Sequence, residues 1–290
     1  MKLLMKINLV LLVVFAIGFA TTGYVCNRLL QQNARAEIME NARIMMEAAL
    51  AVRTYTATQI KPLLDTQMKY TFLPQSVPAY SANTYFKKLQ KKYPDYSYRE
   101  ATLNPTNPAD RAMDWEADLV RDFQNSPGKT EIVLERDAAN GRYLIMARPM
   151  KIGDEACLKC HSSVEAAPRT MLDKYGEANG FGWKLGDIVA AQIVTVPTEL
   201  PRQRAHAVLV AFMFALAAIF AVLLVAVNLL VYFSVVRPVN RLSDLARQVS
   251  FGQLDATDFE VGGSSEIAEL SQSFARMKKS LVEAMKMLGT

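Results

Sequence analysis

Two long apolar runs without a single charge divide the chain. The first, Ile7–Asn27, has the roughly 20 residues that a hydrocarbon core of ~30 Å requires. The second, Ala207–Val236, makes a helix of about 45 Å at 1.5 Å per residue, so it should tilt or project from one face of the bilayer. Lys2 and Lys6 precede the first run, and Arg237, Arg241 and Arg247 follow the second. Positive charge at both ends places both on the cytoplasmic side. Gly18-Phe19-Ala20 also passes as a small-x-small cleavage site, so a removed signal peptide is the competing reading. Apolar character continuing to Val25, and the presence of a second run, favour a retained span. The expected organisation is a cytoplasmic N-terminus (1–6), a first transmembrane helix (7–27), a periplasmic domain (28–204), a second transmembrane helix (205–236) and a cytoplasmic domain (237–290).

Between the runs the pattern changes period several times. Ile38, Ala42, Met45, Ala49 and Val52 recur by three and four residues, the stripe of a helix packing on a core and continuing from the first span. Pro62 disfavours helical geometry at Lys61, so the helix should end or kink there. A helix near Ser81–Lys92 and a strand around Tyr96–Leu103 follow. The turn-rich Asn104-Pro105-Thr106-Asn107-Pro108 then leads to Asp110, which can cap a helix running to about Phe123 with Ala112, Trp115, Leu119 and Phe123 on its apolar side. Glu131–Glu135 and Arg142–Ala147 read as two strands around an Asn140-Gly141 turn. Asp187–Val196 is β-branched and apolar, a buried strand.

The tail has its own periodicity. Leu242, Leu245 and Val249 form a short stripe after Pro238. Ile267, Leu270, Phe274, Met277, Leu281, Ala284 and Leu288 keep the three-four spacing of a coiled-coil seam. Gly252-Gln253-Leu254 and Gly262-Gly263 mark the connector between them. Pro238, Gly252 with Leu254, and Glu266-Ile267 in this order directly after a membrane span resemble a HAMP domain. The resemblance implies a homodimer, because HAMP domains are parallel four-helix bundles made by two chains. The competing reading is an amphipathic tail lying on the membrane surface.

Composition then narrows the chemistry. The net charge of +5 comes without a basic block, so no nucleic-acid partner is expected. Three cysteines and two histidines are too few for a disulfide framework or a four-cysteine zinc site. Cys26 reads as a membrane-edge thiol without a role. Cys157-Leu158-Lys159-Cys160-His161 is the specific motif: Cys157 and Cys160 can add across the two vinyl groups of one haem, and His161 can give its imidazole to the iron. A thioredoxin-like pair needs no trailing histidine, a zinc knuckle lacks a further ligand, and a disulfide at this spacing is strained. Covalent attachment outside the cytoplasm agrees with the topology. For the sixth iron position, methionine, cysteine, tyrosine, lysine, water or an empty site stay open. Met45 and Met46 are the candidates, with Tyr55 behind them. Phe181 and Trp183 are candidate haem-face aromatics, and Arg53 and Arg148 candidate propionate partners.

The external segment also resembles a family of periplasmic PAS-like domains that carry c-type haem and feed chemoreceptors or kinases. The resemblance rests on Cys157–His161, supported by Arg53-Thr54-Tyr55 with Pro62, Asn104-Pro105, Trp115-Glu116, Gly180–Trp183 and the strand ending Ile193–Pro197. One branch of that family uses a cysteine of the early helix as axial ligand; this sequence has none between Cys26 and Cys157. The expected fold is an α+β membrane protein, with a PAS-like periplasmic haem domain between two transmembrane helices and a C-terminal HAMP helical bundle. The expected function is a non-enzymatic inner-membrane sensor with one covalent haem c, transmitting redox or gas-ligand state. Its expected partners are the lipid bilayer, a second copy, a gas or redox partner, and a cytoplasmic signalling partner or an output module beyond Thr290. The alternative is a membrane-anchored monohaem electron-transfer cytochrome.

Overall fold

A computed structural model describes residues 3–139, 141–253 and 266–287. It separates into two compact units, one made of Met1–Cys26 with Val208–Thr290 and the other of Asn27–Ala207.

Helix α1 (Leu3–Tyr55) begins in the first unit and supplies the second with its leading helix. In the second unit, Ile38, Ala42, Met45, Met46 and Ala49 are buried, so the three-four stripe is a core face. Helical geometry does not stop at Pro62. A π-helical turn (Thr56–Ile60), in which Lys61 N donates to Thr56 O, carries the chain into α2 (Lys61–Met68), with Pro62 in its first turn. Proline has no N–H for the carbonyl four residues back and crowds it; widening the turn before it resolves both. Helix α3 (Pro78–Gln90) and strand β1 (Ser97–Thr102) follow.

Asp110 does not cap the next helix. It ends a short 3-10 turn and accepts a hydrogen bond from Asn83 Nδ2 at 3.1 Å. Helix α4 (Asp114–Asn125) starts after Met113, whose N–H donates to Glu116 at 2.8 Å. A carboxylate on the third helical residue reaching back thus replaces a cap from the preceding turn. Strands β2 (Ile132–Ala138) and β3 (Gly141–Lys151) form a hairpin in which Ala138 pairs with Gly141. Gly141 therefore belongs to the strand rather than to the expected turn pair, and Asn140 lies outside the described residues. Helices α5 (Glu155–His161) and α6 (Arg169–Tyr175) precede strand β4 (Ile188–Pro197).

The four strands form one antiparallel sheet in the order β1-β4-β3-β2. Both faces are covered, and strand periodicity assigns the residues. Leu144, Met146, Val194 and Val196 face α1 and α3, meeting Ile38, Met46, Ala82 and Phe86. The alternate residues Ile145, Ala147, Ala191 and Ile193 face α4, meeting Leu119, Val120 and Phe123. A helix layer thus lies on each side of the antiparallel sheet.

In the first unit, α1 and α7 (Glu199–Val231) each contain a stretch long and apolar enough to cross a membrane. After α7 comes a second π-helical turn (Tyr232–Val236), then α8 (Arg237–Ser250) and α9 (Glu266–Met287). On α8 the expected stripe buries Leu242 and Val249. On α9 the residues buried within one chain are Ala268 and Ser271, whereas Leu270, Met277 and Leu281 of the expected seam are exposed. Leu254, Gly262, Gly263 and Leu288 lie outside the described residues.

Glu116 has no exposed surface, and its Oε1 lies 3.3 Å from Arg99 Nε while its Oε2 caps α4. Removing such a carboxylate frees a helix-end donor and a half-buried guanidinium. Glu116→Ala is expected to cost about 2–3 kcal/mol, measured as a lower unfolding midpoint of the detergent-solubilised chain. Glu116→Gln, which keeps an acceptor for Met113, should lose clearly less.

Candidate functional site

The Cys157–His161 motif occupies almost all of α5. Asp154 caps this short helix, accepting from Ala156 N at 2.8 Å. Spacings of three and four residues put Cys157, Cys160 and His161 on one face, and all three are half-buried. Sequence spacing therefore becomes a common orientation of two thiols and one imidazole.

The imidazole is held from behind. His161 Nδ1 lies 2.8 Å from the carbonyl oxygen of Gly180. A carbonyl only accepts, so Nδ1 carries the proton and donates, leaving the lone pair on Nε2. Thr106 Oγ1 stands 3.4 Å from the same nitrogen. The ring of Trp183 stacks on the imidazole at 4.0 Å between centroids and 17° between planes. Burial holds the His161 pKa below its ordinary value, opposed by the Gly180 hydrogen bond. The net preference is a neutral ring, the form that can ligate a metal.

The segment Gly180–Trp183 is pinned to the end of α5 by its own backbone. Gly182 N donates to Ser162 O at 3.0 Å and Trp183 N to His161 O at 3.1 Å. These bonds satisfy carbonyls that a helix C-terminus leaves without partners. Gly180 has a φ of +90°, and a Cβ there would sit 2.9 Å from the backbone Cα of Thr106. Only glycine combines that conformation with that approach.

One wall of the site is apolar. Cys160 packs with Phe72, Ala167 and Met171, flanked by Met68, Val77, Leu172, Tyr175 and Phe181. Burial raises the Cys160 thiol pKa, partly offset by Lys61. Lys61 acts on His161 as well, and Arg53 interacts electrostatically with Cys157. The end of α1 and the start of α2 therefore lie within electrostatic reach of the motif.

The other expected residues fall in different places. Met45 and Met46 fill the core between α1 and the sheet, with Leu144, Met146 and Val196; neither belongs to the cluster around Cys160. Tyr55 is exposed. Arg53 pairs with buried Glu100, which also accepts from Tyr98 Oη at 2.8 Å; Gln192 Nε2 then donates to Tyr98 Oη at 3.0 Å. Burial, with Glu100 adjacent, pushes the Tyr98 pKa far up. Arg148 is engaged by Glu47 at 2.7 Å and Glu131 at 3.0 Å. Sequence reasoning passed over Thr106, which it read only as turn, and Lys61, which it read only as the residue before Pro62.

The donor set suits a thioether-linked haem. Two thiols share a helix face, the adjacent imidazole has Nδ1 engaged and Nε2 unshared, and aromatic and aliphatic side chains line the near wall. On binding, such a group supplies an iron centre able to change oxidation state or take a small ligand.

Comparison with known proteins agrees in extent. A family model described as Tll0287-like (Tll0287) matches residues 31–197, and a HAMP domain model matches residues 230–283. None of the curated proteins matches the chain. Among solved structures, the chain is similar to the "Crystal structure of the cyanobacterial heme-protein Tll0287" at 17% identity and a TM-score of 0.43, over 56% of this chain and 95% of that one. With more than half of its residues matched by that model, and a HAMP domain following, the chain belongs to the Tll0287-like family.

Proposed function

We propose that the chain is a membrane-bound sensor that carries one covalent haem c outside the cytoplasm and relays its redox or gas-ligand state inward through a HAMP homodimer. The observation that carries the reading is the pose of His161. Its Nδ1 is committed to Gly180 O at 2.8 Å, and Nε2 keeps its lone pair beside two cysteines on one helix face. Cys157 and Cys160 would hold the porphyrin through thioethers, and His161 the iron. Family membership supports this, since a solved protein similar to this chain is titled a haem-protein. The sheet order β1-β4-β3-β2 with helices on both faces supports a PAS-like external domain, residues 28–204.

The two apolar helices and the HAMP match support an inner-membrane location with the haem domain in the periplasm. The exposed residues Leu270, Met277 and Leu281 on α9 support pairing with a second copy. Signalling without enzymatic turnover is part of this proposal. The chain's own residues prepare the state change: Trp183 and Gly180 orient the imidazole, while Lys61 and Arg53 bring positive charge from the α1–α2 region. A change of charge at the iron would bias those groups, and α1 leads from them toward the first membrane segment.

Coexpression of the full chain with a c-type maturation system should yield haem that stays attached after denaturation. Cys157→Ser or Cys160→Ser should each leave a single thioether, displaced in the pyridine haemochrome spectrum, and the double variant none. Retention of covalent haem by the double variant, or no haem on the wild type, refutes the assignment.

Gly180→Ala should displace the acceptor of His161 Nδ1 while leaving the thioethers formed. Loss of an outer hydrogen bond of this kind weakens a ligand about 10–100-fold, which here lowers the concentration of added imidazole needed to displace His161. Met45→Ala and Met46→Ala test the sixth-ligand candidates. Their sheet-facing packing predicts a stability loss of about 2–5 kcal/mol and an unchanged visible spectrum in both redox states. A lost Met–iron band would instead assign one of them to the metal.

A further inference from the structure

The two apolar helices meet along one register. Asn8 Nδ2 donates to Asn228 Oδ1 at 2.9 Å, and Asn228 Nδ2 donates back to Asn8 Oδ1 at 2.7 Å. Asn228 Nδ2 also donates to Leu224 O at 2.8 Å, one turn earlier on its own helix. Further along, Phe15 stacks on Phe220 at 4.6 Å between centroids and 10° between planes. At the far end, the position of a Cβ on Gly23 would lie 3.1 Å from Met213 Cε. Moving up α1 from residue 8 to 15 to 23 therefore matches moving back along α7 from 228 to 220 to 213. One antiparallel setting satisfies all three contacts.

These contacts are not equivalent. Aromatic and methyl contacts tolerate sliding, because lipid tails are as apolar as the neighbouring helix and the loss is small. A side-chain amide has no such substitute in hydrocarbon, where an unpaired polar group is costly. The reciprocal Asn pair forms at one offset only: a slide of one turn, 5.4 Å for an ideal helix, carries Asn228 opposite Leu4 or Leu12 and Asn8 opposite Leu224 or Tyr232, so neither direction restores the amide pair. Its position adds to this. Asn8 lies two residues after Lys6, and Asn228 one turn before the π-helical segment Tyr232–Val236 that leads into α8.

We propose that Asn8 and Asn228 form a register latch, fixing the axial setting of α7 against α1 at the end that feeds the relay. Any sliding of one membrane helix past the other must break this pair. The inference rests on the helix pair alone and stands or falls independently of the haem assignment.

The test is disulfide cross-linking of the full chain in membranes, in a Cys26→Ala background, with intrachain products identified by mass. With the latch intact, F15C/F220C should cross-link about tenfold faster than F15C/L216C or F15C/L224C. Asn8→Leu with Asn228→Leu should narrow that preference to about threefold or less. The decisive variant moves the latch: Asn228→Leu with Leu224→Asn should transfer the fastest cross-link from F15C/F220C to F15C/L216C. Persistence of F15C/F220C as the preferred pair in both variants overturns the proposal.

Discussion

The hydrogen bond from His161 Nδ1 to the carbonyl of Gly180 is the constraint around which the external domain's site is arranged. It fixes which imidazole nitrogen keeps its lone pair, and therefore which side of the ring can act on a metal. It also sets demands elsewhere. Gly180 must adopt a positive φ against the backbone of Thr106, so the residue cannot carry a side chain. Gly182 and Trp183 must then lie against the end of α5, where they satisfy its carbonyls and place an indole over the ring. A seven-residue helix is too short to be stable by propensity. Its cap at Asp154, its C-terminal partners and the stacking of Trp183 supply what length does not.

The leading helix is tied to the sheet by a second polar chain. Arg53 near the end of α1 pairs with Glu100 on β1, and Tyr98 and Gln192 extend the contacts to β4. A buried carboxylate stripped of its guanidinium is costly, whereas the completed pair fixes one alignment of helix on sheet. The apolar stripe of α1 alone would allow small shifts along the sheet surface; the ion pair selects among them. Because Arg53 also responds electrostatically to Cys157, the groups that align the helix are near the groups expected to hold the cofactor.

Much of this was legible from periodicity. The three-four stripe Ile38–Ala49 and the alternating β3 and β4 residues each encode one dominant force, burial of apolar surface, with a period set by local geometry, and the two uncharged runs became the long apolar stretches of α1 and α7. The candidate haem motif stands out in the sequence because five consecutive residues would carry its chemistry. What sequence reading missed depends on partners far along the chain. Asp110 looked like a cap, but Asn83 claims it and Glu116 caps α4 from within. Met45 and Met46 looked available because their sulfur can ligate iron; only the three-dimensional packing shows them against Leu144 and Val196. Gly180 was noticed for the aromatic residues beside it, while its backbone carbonyl, which no side-chain pattern reveals, does the orienting.

Thr56–Ile60 is a π-helical turn followed by Lys61 and Pro62, and Tyr232–Val236 is a π-helical turn followed by Arg237 and Pro238. In both, the N–H of the basic residue reaches back five residues, to Thr56 and Tyr232 respectively. The same chemistry produces both, since each proline withdraws a donor and crowds the preceding turn. A π turn inserts residues without ending the helix, so it rotates every later side chain relative to the earlier stripe. At the first site that rotation separates the sheet-facing stripe of α1 from α2, which carries Met68 to the cluster around Cys160. At the second it separates the apolar surface of α7 from the Leu242 and Val249 face of α8. A continuous α-helix would impose one phase on two surfaces with different partners; the π turn lets each face its own.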